Sequence, residues 1–182
     1  MARRGVTLLE LIFVIAIIII LVSIILPSIR IARNKSKQIA CVNNLKQIGQ
    51  SMYMYLWDSG TNRFPQCDGL PTDSQTNRLD TILKPYLREQ AIWLCPTNES
   101  SDITNYSYMY NDTAKGQSYH SNIANSSTAW VVMDYFVVGI MNEKDAPHSK
   151  RLNVVYVDWH VSSIRADEYM NNSASIDIDG WK

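Results

Sequence analysis

A group of three side chains near the C-terminal end of this chain could bind a metal ion. His148, Asp158 and His160 carry imidazole and carboxylate groups, which are common metal ligands. No further ligand stands at a diagnostic spacing, so a structural role is favoured over a metal site. We expect His148 to form a hydrogen bond with Asp158 and to fix the loop before the strand that follows.

A calcium site is a second candidate, close to the end of the sequence. Asp177 and Asp179 stand two residues apart and precede Gly180, as carboxylates do in calcium-binding loops. The later glutamate of an EF-hand loop is missing. A solvated acidic tail is therefore the preferred interpretation, calcium at Asp177 and Asp179 is the second one, and no other cofactor is predicted.

The three cysteines, Cys41, Cys67 and Cys95, favour a disulfide over a zinc site, because no pair of them has CxxC spacing. In an oxidising compartment we expect one disulfide and one remaining thiol. The residues alone leave the pairing open, although a Cys67–Cys95 disulfide is a simpler interpretation than a catalytic nucleophile. The chain also lacks the G-x-S-x-G, HExxH and phosphate-loop motifs, so no enzymatic activity is predicted.

A charge within an apolar segment is the most informative feature of the chain. Glu10 lies in an otherwise apolar run from Val6 to Leu26. As a helix this run is about 30 Å long, which matches the hydrocarbon core of a bilayer. A carboxylate at the bilayer centre costs roughly 2.5–3.5 kcal/mol. A simple anchor would not be expected to carry this charge, so we expect another group to meet it.

The charge of the chain is unevenly distributed, although its formal net charge is zero. A basic neck between Pro27 and Gln50 joins the apolar run to an acidic C-terminal part. Because the neck directly follows a membrane span, contact with lipid headgroups or a neighbouring subunit is favoured over nucleic-acid binding. Basic residues flank both ends of the span, so charge alone leaves its orientation undecided. No A-x-A cleavage site precedes the neck, and we expect the span to stay with the protein.

Helical periodicity continues beyond the apolar run. The apolar face consists of Cys41, Leu45, Ile48, Met52 and Tyr55. The spacing predicts one helix from Thr7 to near Ser59. Pro27 removes a backbone donor inside this helix and should kink or locally open it.

The remainder of the chain predicts short elements. These are a helix at Leu79–Leu87 broken by Pro85, an edge segment at Ala91–Pro96, strands at Tyr106–Tyr110 and Ala129–Val138, and a hairpin of Asn153–Val157 and His160–Ile164. A two-residue turn, Asp158-Trp159, would close the hairpin. The predicted fold class is α+β, with a long N-terminal helix, half membrane-spanning and half amphipathic, packed on a small antiparallel sheet.

The N-terminal residues carry a family resemblance. Gly5-Val6-Thr7-Leu8-Leu9-Glu10-Leu11-Ile12 resembles the cleavage and methylation motif of type IV prepilins and type II secretion pseudopilins. The resemblance implies that a prepilin peptidase cuts after Gly5 and that Val6 is then N-methylated, although phenylalanine is commoner than valine there. It also implies that Glu10 meets the terminal amine of a neighbouring subunit. Pro27 stands where filament-forming pilins often have proline.

The C-terminal part resembles a prepilin-type subfamily that is named for a histidine, nine residues and then Asp-Gly. His148 and Asp158 have this spacing, but Trp159 occupies the glycine place. A positive φ there costs a non-glycine residue roughly 1 kcal/mol, so the turn is of another type or Trp159 is compensated by a neighbour. Since Cys41 and Cys95 match the subfamily, the resemblance also implies a Cys41–Cys95 disulfide, as a rival to Cys67–Cys95.

Together these observations predict a structural subunit of a pilus-like filament or a secretion pseudopilus, with a pilin-like fold. The expected segments are a leader at 1–5, a transmembrane and filament-core helix at 6–26, an amphipathic continuation at 27–59 and an exported head at 60–182. The resemblance implies a single-pass inner-membrane protein with a cytoplasmic N-terminus, which becomes an extracytoplasmic or cell-surface filament after assembly. Expected partners are the prepilin peptidase/methyltransferase, an inner-membrane assembly platform, the membrane and further copies of the chain, but no nucleic acid. The alternative is a membrane-anchored extracytoplasmic module that binds calcium, a glycan or a secreted substrate.

Overall fold

A computed structural model of the chain describes residues 8–67, 78–97, 107–119, 123, 125–134 and 147–167. Its elements in chain order are α1 (Leu8–Asp58), α2 (Leu79–Leu83), a 3-10 turn (Gln90–Trp93), β1 (Tyr108–Tyr110), a second 3-10 turn (Asp112–Ala114), β2 (Trp130–Asp134), α3 (Pro147–Lys150), β3 (Arg151–Tyr156) and β4 (Val161–Arg165). The predicted α+β class is confirmed, since one long N-terminal helix precedes a four-stranded antiparallel sheet.

Helix α1 has the predicted extent, with 51 residues from Leu8 to Asp58. The helix continues through Pro27 without a break, and the kink that the sequence predicts there stays a prediction. A proline removes only one backbone donor, and the intact hydrogen bonds of the flanking turns keep both sides helical.

The chain forms two compact units, Met1–Ser36 and Lys37–Lys182, and α1 contributes to both. In the second unit the predicted apolar face of α1 faces the core. Cys41, Leu45, Ile48 and Met52 are fully buried there, and Tyr55 is half-buried against them. The predicted functional boundaries at residues 26 and 59 stay predictions.

The sheet has the order β1-β2-β3-β4. Strand β2 is buried along its whole length, because it is a central strand with apolar side chains on both faces. One face of the sheet packs on α1 at Gly49. A Cβ atom added to this glycine would lie 3.2 Å from the Cγ1 atom of Val155 in β3. Glycine at this position therefore allows a close approach between helix and sheet.

The predicted edge segment at Ala91–Pro96 is wrong, because residues Gln90–Trp93 form a 3-10 turn. A short apolar run cannot be assigned from periodicity alone. In the folded chain, Ile92 and Trp93 both enter the core, which a strand with alternating faces would not allow. The helix predicted at Leu79–Leu87 is shorter than expected, because α2 spans Leu79–Leu83 and ends before Pro85, where the sequence predicts a break.

The β3–β4 hairpin is confirmed, but its loop has three residues, Val157–Trp159, and not two. The backbone N–H of Tyr156 donates to the carbonyl oxygen of His160 at 3.1 Å, and the N–H of Trp159 donates to the carbonyl of Tyr156 at 2.9 Å. This pattern is typical of a turn followed by a left-handed bulge residue. Trp159 is that residue, with φ +67°.

Aromatic packing accounts for a tryptophan at a position that favours glycine. The Trp159 ring stacks on Tyr119 with centroids 6.0 Å apart, lies 6.4 Å from the Phe64 ring and meets Tyr53 edge-on at 5.9 Å. These contacts join the hairpin loop to α1, to the loop that follows α1 and to the connection between β1 and β2. The strained backbone is therefore compensated by ring packing.

Replacing Trp159 tests this balance. Trp159→Gly relieves about 1 kcal/mol of left-handed strain but removes a ring whose truncation costs roughly 3–5 kcal/mol when fully buried, so a net loss of about 2 kcal/mol is expected for this half-buried site. Trp159→Ala should lose more, because it keeps the strain. Denaturant unfolding of the full chain in detergent, followed by far-ultraviolet circular dichroism, measures both losses. A glycine variant as stable as the wild type would contradict this account.

Candidate functional site

The first region of interest is the surface of α1 within the first unit. From Leu8 to Leu26 every side chain is exposed, and all but Glu10 and Ser23 are apolar. By length and composition α1 could cross a membrane, and the most apolar stretch of the helix has no buried residue. We call residues 8–26 the apolar α1 surface. An unassembled soluble domain does not leave such a surface in water, so lipid or protein must cover it.

The two polar residues of the apolar α1 surface differ in how their polar groups are accommodated. The Ser23 hydroxyl donates to the Ile20 carbonyl at 2.7 Å, so the helix itself satisfies it. Glu10 lies in the first turn of α1 with an exposed side chain. Its carboxylate is favoured by the positive end of the helix dipole, but in hydrocarbon a carboxylate also needs a cationic partner.

Four predicted site residues lie outside the described residues. Gly5 and Val6 belong to the predicted cleavage and methylation site, and Asp177 and Asp179 to the calcium alternative. Both sites stay predictions.

The second region of interest is the disulfide in the core of the second unit. It joins Cys41 in α1 to Cys95 after the 3-10 turn, with a Cα–Cα distance of 5.3 Å. The side-chain amide of Asn44 donates to the Leu94 carbonyl at 3.1 Å beside it. Cys67 is buried and stands outside the disulfide. The pairing is therefore the one that the subfamily resemblance implies, and not Cys67–Cys95.

The predicted partner of His148 is wrong. Its Nε2 atom lies 3.3 Å from Asp134 Oδ2, whereas Asp158 bonds His160 across the hairpin loop. His148 precedes β3 and Asp158 follows it, and six extended residues place the two ends of a strand about 20 Å apart. His148, Asp158 and His160 therefore form no common metal site.

His148 also contacts the disulfide, since its Nε2 atom lies 3.4 Å from the Cys95 Sγ atom. We call these residues the Cys–His–Asp cluster: Cys41, Cys95, His148 and Asp134. All of its members are buried. The cluster joins α1, the segment after the 3-10 turn, the end of β2 and α3, so only the folded chain assembles it.

Burial dominates the electrostatics of the cluster. It raises the pKa of Asp134, while the hydrogen bond and charge of His148 act in the opposite direction. The backbone N–H of Asn153 also donates to Asp134 Oδ2 at 2.8 Å and stabilises the carboxylate. His148 has φ +57°, a conformation that is uncommon outside glycine. Such backbone strain persists where surrounding contacts hold it in place.

Sequence reasoning missed Asp134 as a site residue. A signal for it exists, because an acidic residue directly follows the apolar run Trp130–Met133 on a strand that is buried throughout. A carboxylate in such a place needs hydrogen bonds or a charged partner. Its partner cannot be identified from spacing, since His148 belongs to another element.

Comparison of the chain with protein-family models, with curated proteins and with solved structures found no match. Arguments about function therefore depend on the apolar α1 surface, the Cys–His–Asp cluster and the sequence motifs.

Proposed function

We propose that this chain is a structural subunit of a type IV pilus-like filament or a type II secretion pseudopilus. The observation that carries the proposal is the apolar α1 surface, which is exposed throughout although the same helix is a core element of the second unit. Lipid covers this surface before assembly. Equivalent helices of neighbouring copies cover it in the filament, where helix–helix packing replaces contact with lipid.

Glu10 has a specific role in this proposal. Cleavage after Gly5 creates a new amino terminus at Val6, and the ammonium of one subunit meets the Glu10 carboxylate of the next. A paired charge in an apolar environment is far less costly than either charge alone. Processing and assembly are thereby linked, because the cationic partner arises only after cleavage.

The disulfide supports export of the C-terminal unit. Disulfides persist in oxidising compartments such as the periplasm and the cell surface, and are rare in the cytosol. Cys41–Cys95 lies in the part of the chain that follows the apolar α1 surface. This placement agrees with a cytoplasmic N-terminus and an exported head, the orientation that the prepilin motif implies.

A membrane-anchored extracytoplasmic binding module is the second candidate function. It is favoured by an exposed patch near the end of α1, where Tyr53, Met54 and Trp57 are 42%, 55% and 68% exposed. Aromatic side chains are enriched at binding surfaces. Cells that lack the chain distinguish the two functions. Loss of filaments in these cells supports a filament subunit, and normal filaments support a membrane-anchored binding module.

Gly5→Ala tests the processing step. We expect an uncut precursor to accumulate in the membrane, because a methyl group at the last leader residue obstructs the close approach of the backbone to the peptidase. Mass spectrometry of the intact chain measures cleavage and the methyl group on Val6. Val6→Phe is the matched control, and it should be cut normally because phenylalanine is the commoner residue of the motif. Equal cleavage of Gly5→Ala and wild type would contradict the proposed processing site.

The filament itself can be sought directly. Electron microscopy of material sheared from the cell surface, combined with mass spectrometry of its N-terminus, should find filaments whose subunits begin at methylated Val6. Surface filaments favour a pilus. A subunit that is cut and methylated but absent from the sheared material favours a pseudopilus.

A further inference from the structure

The Cys–His–Asp cluster contains more metal-binding capacity than a disulfide requires. The ligand atoms of Cys41, Cys95 and His148 all lie within 4.8 Å of one another. The carboxylate of Asp134 lies 3.3 Å from the Nε2 atom of His148. Two sulfurs and one imidazole nitrogen therefore converge in the core, and the Asp134 carboxylate lies beside the imidazole.

Two distances at the His148 Nε2 atom match the edges of a tetrahedral zinc site. Bond lengths of about 2.0–2.3 Å give ligand–ligand edges of about 3.3–3.8 Å. The observed edges are 3.4 Å from Cys95 Sγ to His148 Nε2 and 3.3 Å from His148 Nε2 to Asp134 Oδ2. The two sulfurs are closer than such an edge, because they are bonded to each other. Once that bond is broken, nonbonded repulsion separates them toward the remaining edge length.

The histidine is oriented for such a site. Its side chain is fully buried, and the same Nε2 atom faces both the sulfur and the carboxylate. Among the described residues, no hydrogen bond reaches its Nδ1 atom. The ring is therefore held from the side on which the other ligands converge. The backbone N–H of Asn153 orients the carboxylate, as second-shell donors do at metal sites.

We propose that the dithiol form of this chain binds one Zn²⁺ ion through Cys41, Cys95 and His148, with Asp134 beside the imidazole. Two thiolates and one imidazole select a borderline-soft ion such as zinc, whereas calcium and magnesium prefer oxygen ligands. The site lies wholly within the second unit and does not depend on filament assembly.

Zinc binding and disulfide formation exclude each other in this cluster. A dithiol reductant donates two electrons to the Cys41–Cys95 bond, two protons complete the thiols, and the reductant forms its own disulfide. Zn²⁺ then displaces the two thiol protons to solvent, and His148 binds the ion through Nε2 as the neutral imidazole that carries its proton on Nδ1. In the reverse direction a small-molecule disulfide accepts two electrons from the bound thiolates. The Cys41–Cys95 bond forms again, two thiolates of the oxidant leave, and Zn²⁺ is released.

Cobalt(II) is the spectroscopic probe for this site. The full-length chain in detergent is reduced with a phosphine, freed of metal with a chelator and titrated with Co²⁺. We expect the visible bands of tetrahedral cobalt and a near-ultraviolet thiolate-to-cobalt band, which saturate at one ion per chain. Zn²⁺ should displace the cobalt, and the oxidised chain should show no bands. This comparison uses the wild type alone, so an absence of bands in the reduced chain overturns the proposal.

Variants then assign the ligands. His148→Ala should weaken zinc binding by at least about 100-fold, since loss of outer-shell partners alone costs 10–100-fold, and Asp134→Asn should weaken it by at least about tenfold. Matched controls are Cys67→Ser, a buried thiol outside the cluster, and His160→Ala, an imidazole beside Asp158. Both should bind as the wild type does. Equal binding by His148→Ala and wild type, or loss of binding in Cys67→Ser, would overturn the assignment.

A thermal measurement supports or overturns the same claim independently. Zn²⁺ should raise the unfolding temperature of the reduced wild-type chain, because an ion that binds only the folded state stabilises it. It should leave the oxidised chain unchanged. An equal shift in both redox forms would show that the ion binds elsewhere and would overturn the proposal.

Discussion

Glu10→Gln is expected to abolish filament assembly while leaving cleavage, methylation and the fold of the second unit unchanged. Glutamine keeps the size and hydrogen-bonding capacity of the side chain and removes only its charge. The expected product is a processed subunit that remains in the membrane. Electron microscopy of sheared material, mass spectrometry of the N-terminus and the Cys41–Cys95 disulfide content measure the three properties separately.

The size of this effect follows from the environment of the charge. In an apolar surrounding, removing one member of an ion pair costs roughly 3–5 kcal/mol, because the other member is left unpaired. Every 1.4 kcal/mol is about a tenfold change in an equilibrium constant. In the filament each subunit would lose one such pair, so the loss accumulates along the polymer. A small defect in pairing therefore becomes a large defect in assembly.

Two substitutions in the apolar α1 surface serve as controls for the charge. Ser23→Ala removes a hydroxyl that the Ile20 carbonyl already satisfies, so assembly should be unaffected. Glu10→Asp keeps the carboxylate but shortens its reach by one methylene, and an intermediate filament yield is expected. Wild-type yields from Glu10→Gln would show that the charge has no role in assembly.

Cys95→Ser is expected to produce the largest loss of stability in the second unit. The Cys41–Cys95 bond spans a sequence separation of 54 residues. In the chain-entropy model, a loop of this length contributes about 4 kcal/mol by restricting the unfolded chain. A typical domain has only about 5–15 kcal/mol of stability, so this loss is a substantial fraction of the total.

The position of the disulfide adds to this effect. Both sulfurs are buried, and the bond holds the segment after the 3-10 turn against α1. Serine at position 95 would place a hydroxyl among apolar side chains and beside the His148 imidazole. Ile92 and Trp93, which pack into the same core, would then depend on side-chain contacts alone.

Chemical denaturation of the full chain in detergent, with a chelator present, measures the loss. Wild type treated with a thiol reductant should show a similar loss, because the same covalent link is removed. Cys67→Ser is the matched control, since it alters a buried cysteine without changing the disulfide. Its destabilisation should be smaller than that of Cys95→Ser. Equal stability of the oxidised wild type and Cys95→Ser would contradict the entropic account.

The elements that follow from local sequence patterns were predictable. Helical spacing from Cys41 to Tyr55 identified the buried face of α1, and the apolar run before Pro27 identified the part of the helix that could span a membrane. Strand composition located β2 and the β3–β4 hairpin. These signals are local, because the periods of helix and strand depend on neighbouring residues.

The α+β class and the long helix were thus determined by the sequence itself, but tertiary structure decided which distant residues meet. His148 meets Asp134 and not Asp158. Strand β3 lies between His148 and Asp158, whereas the sheet brings the end of β2 to α3. The same packing places Cys95 against Cys41 and places the Trp159 ring on Tyr119. Such contacts depend on strand register and helix–sheet packing across long stretches of chain, and no spacing within the sequence encodes them.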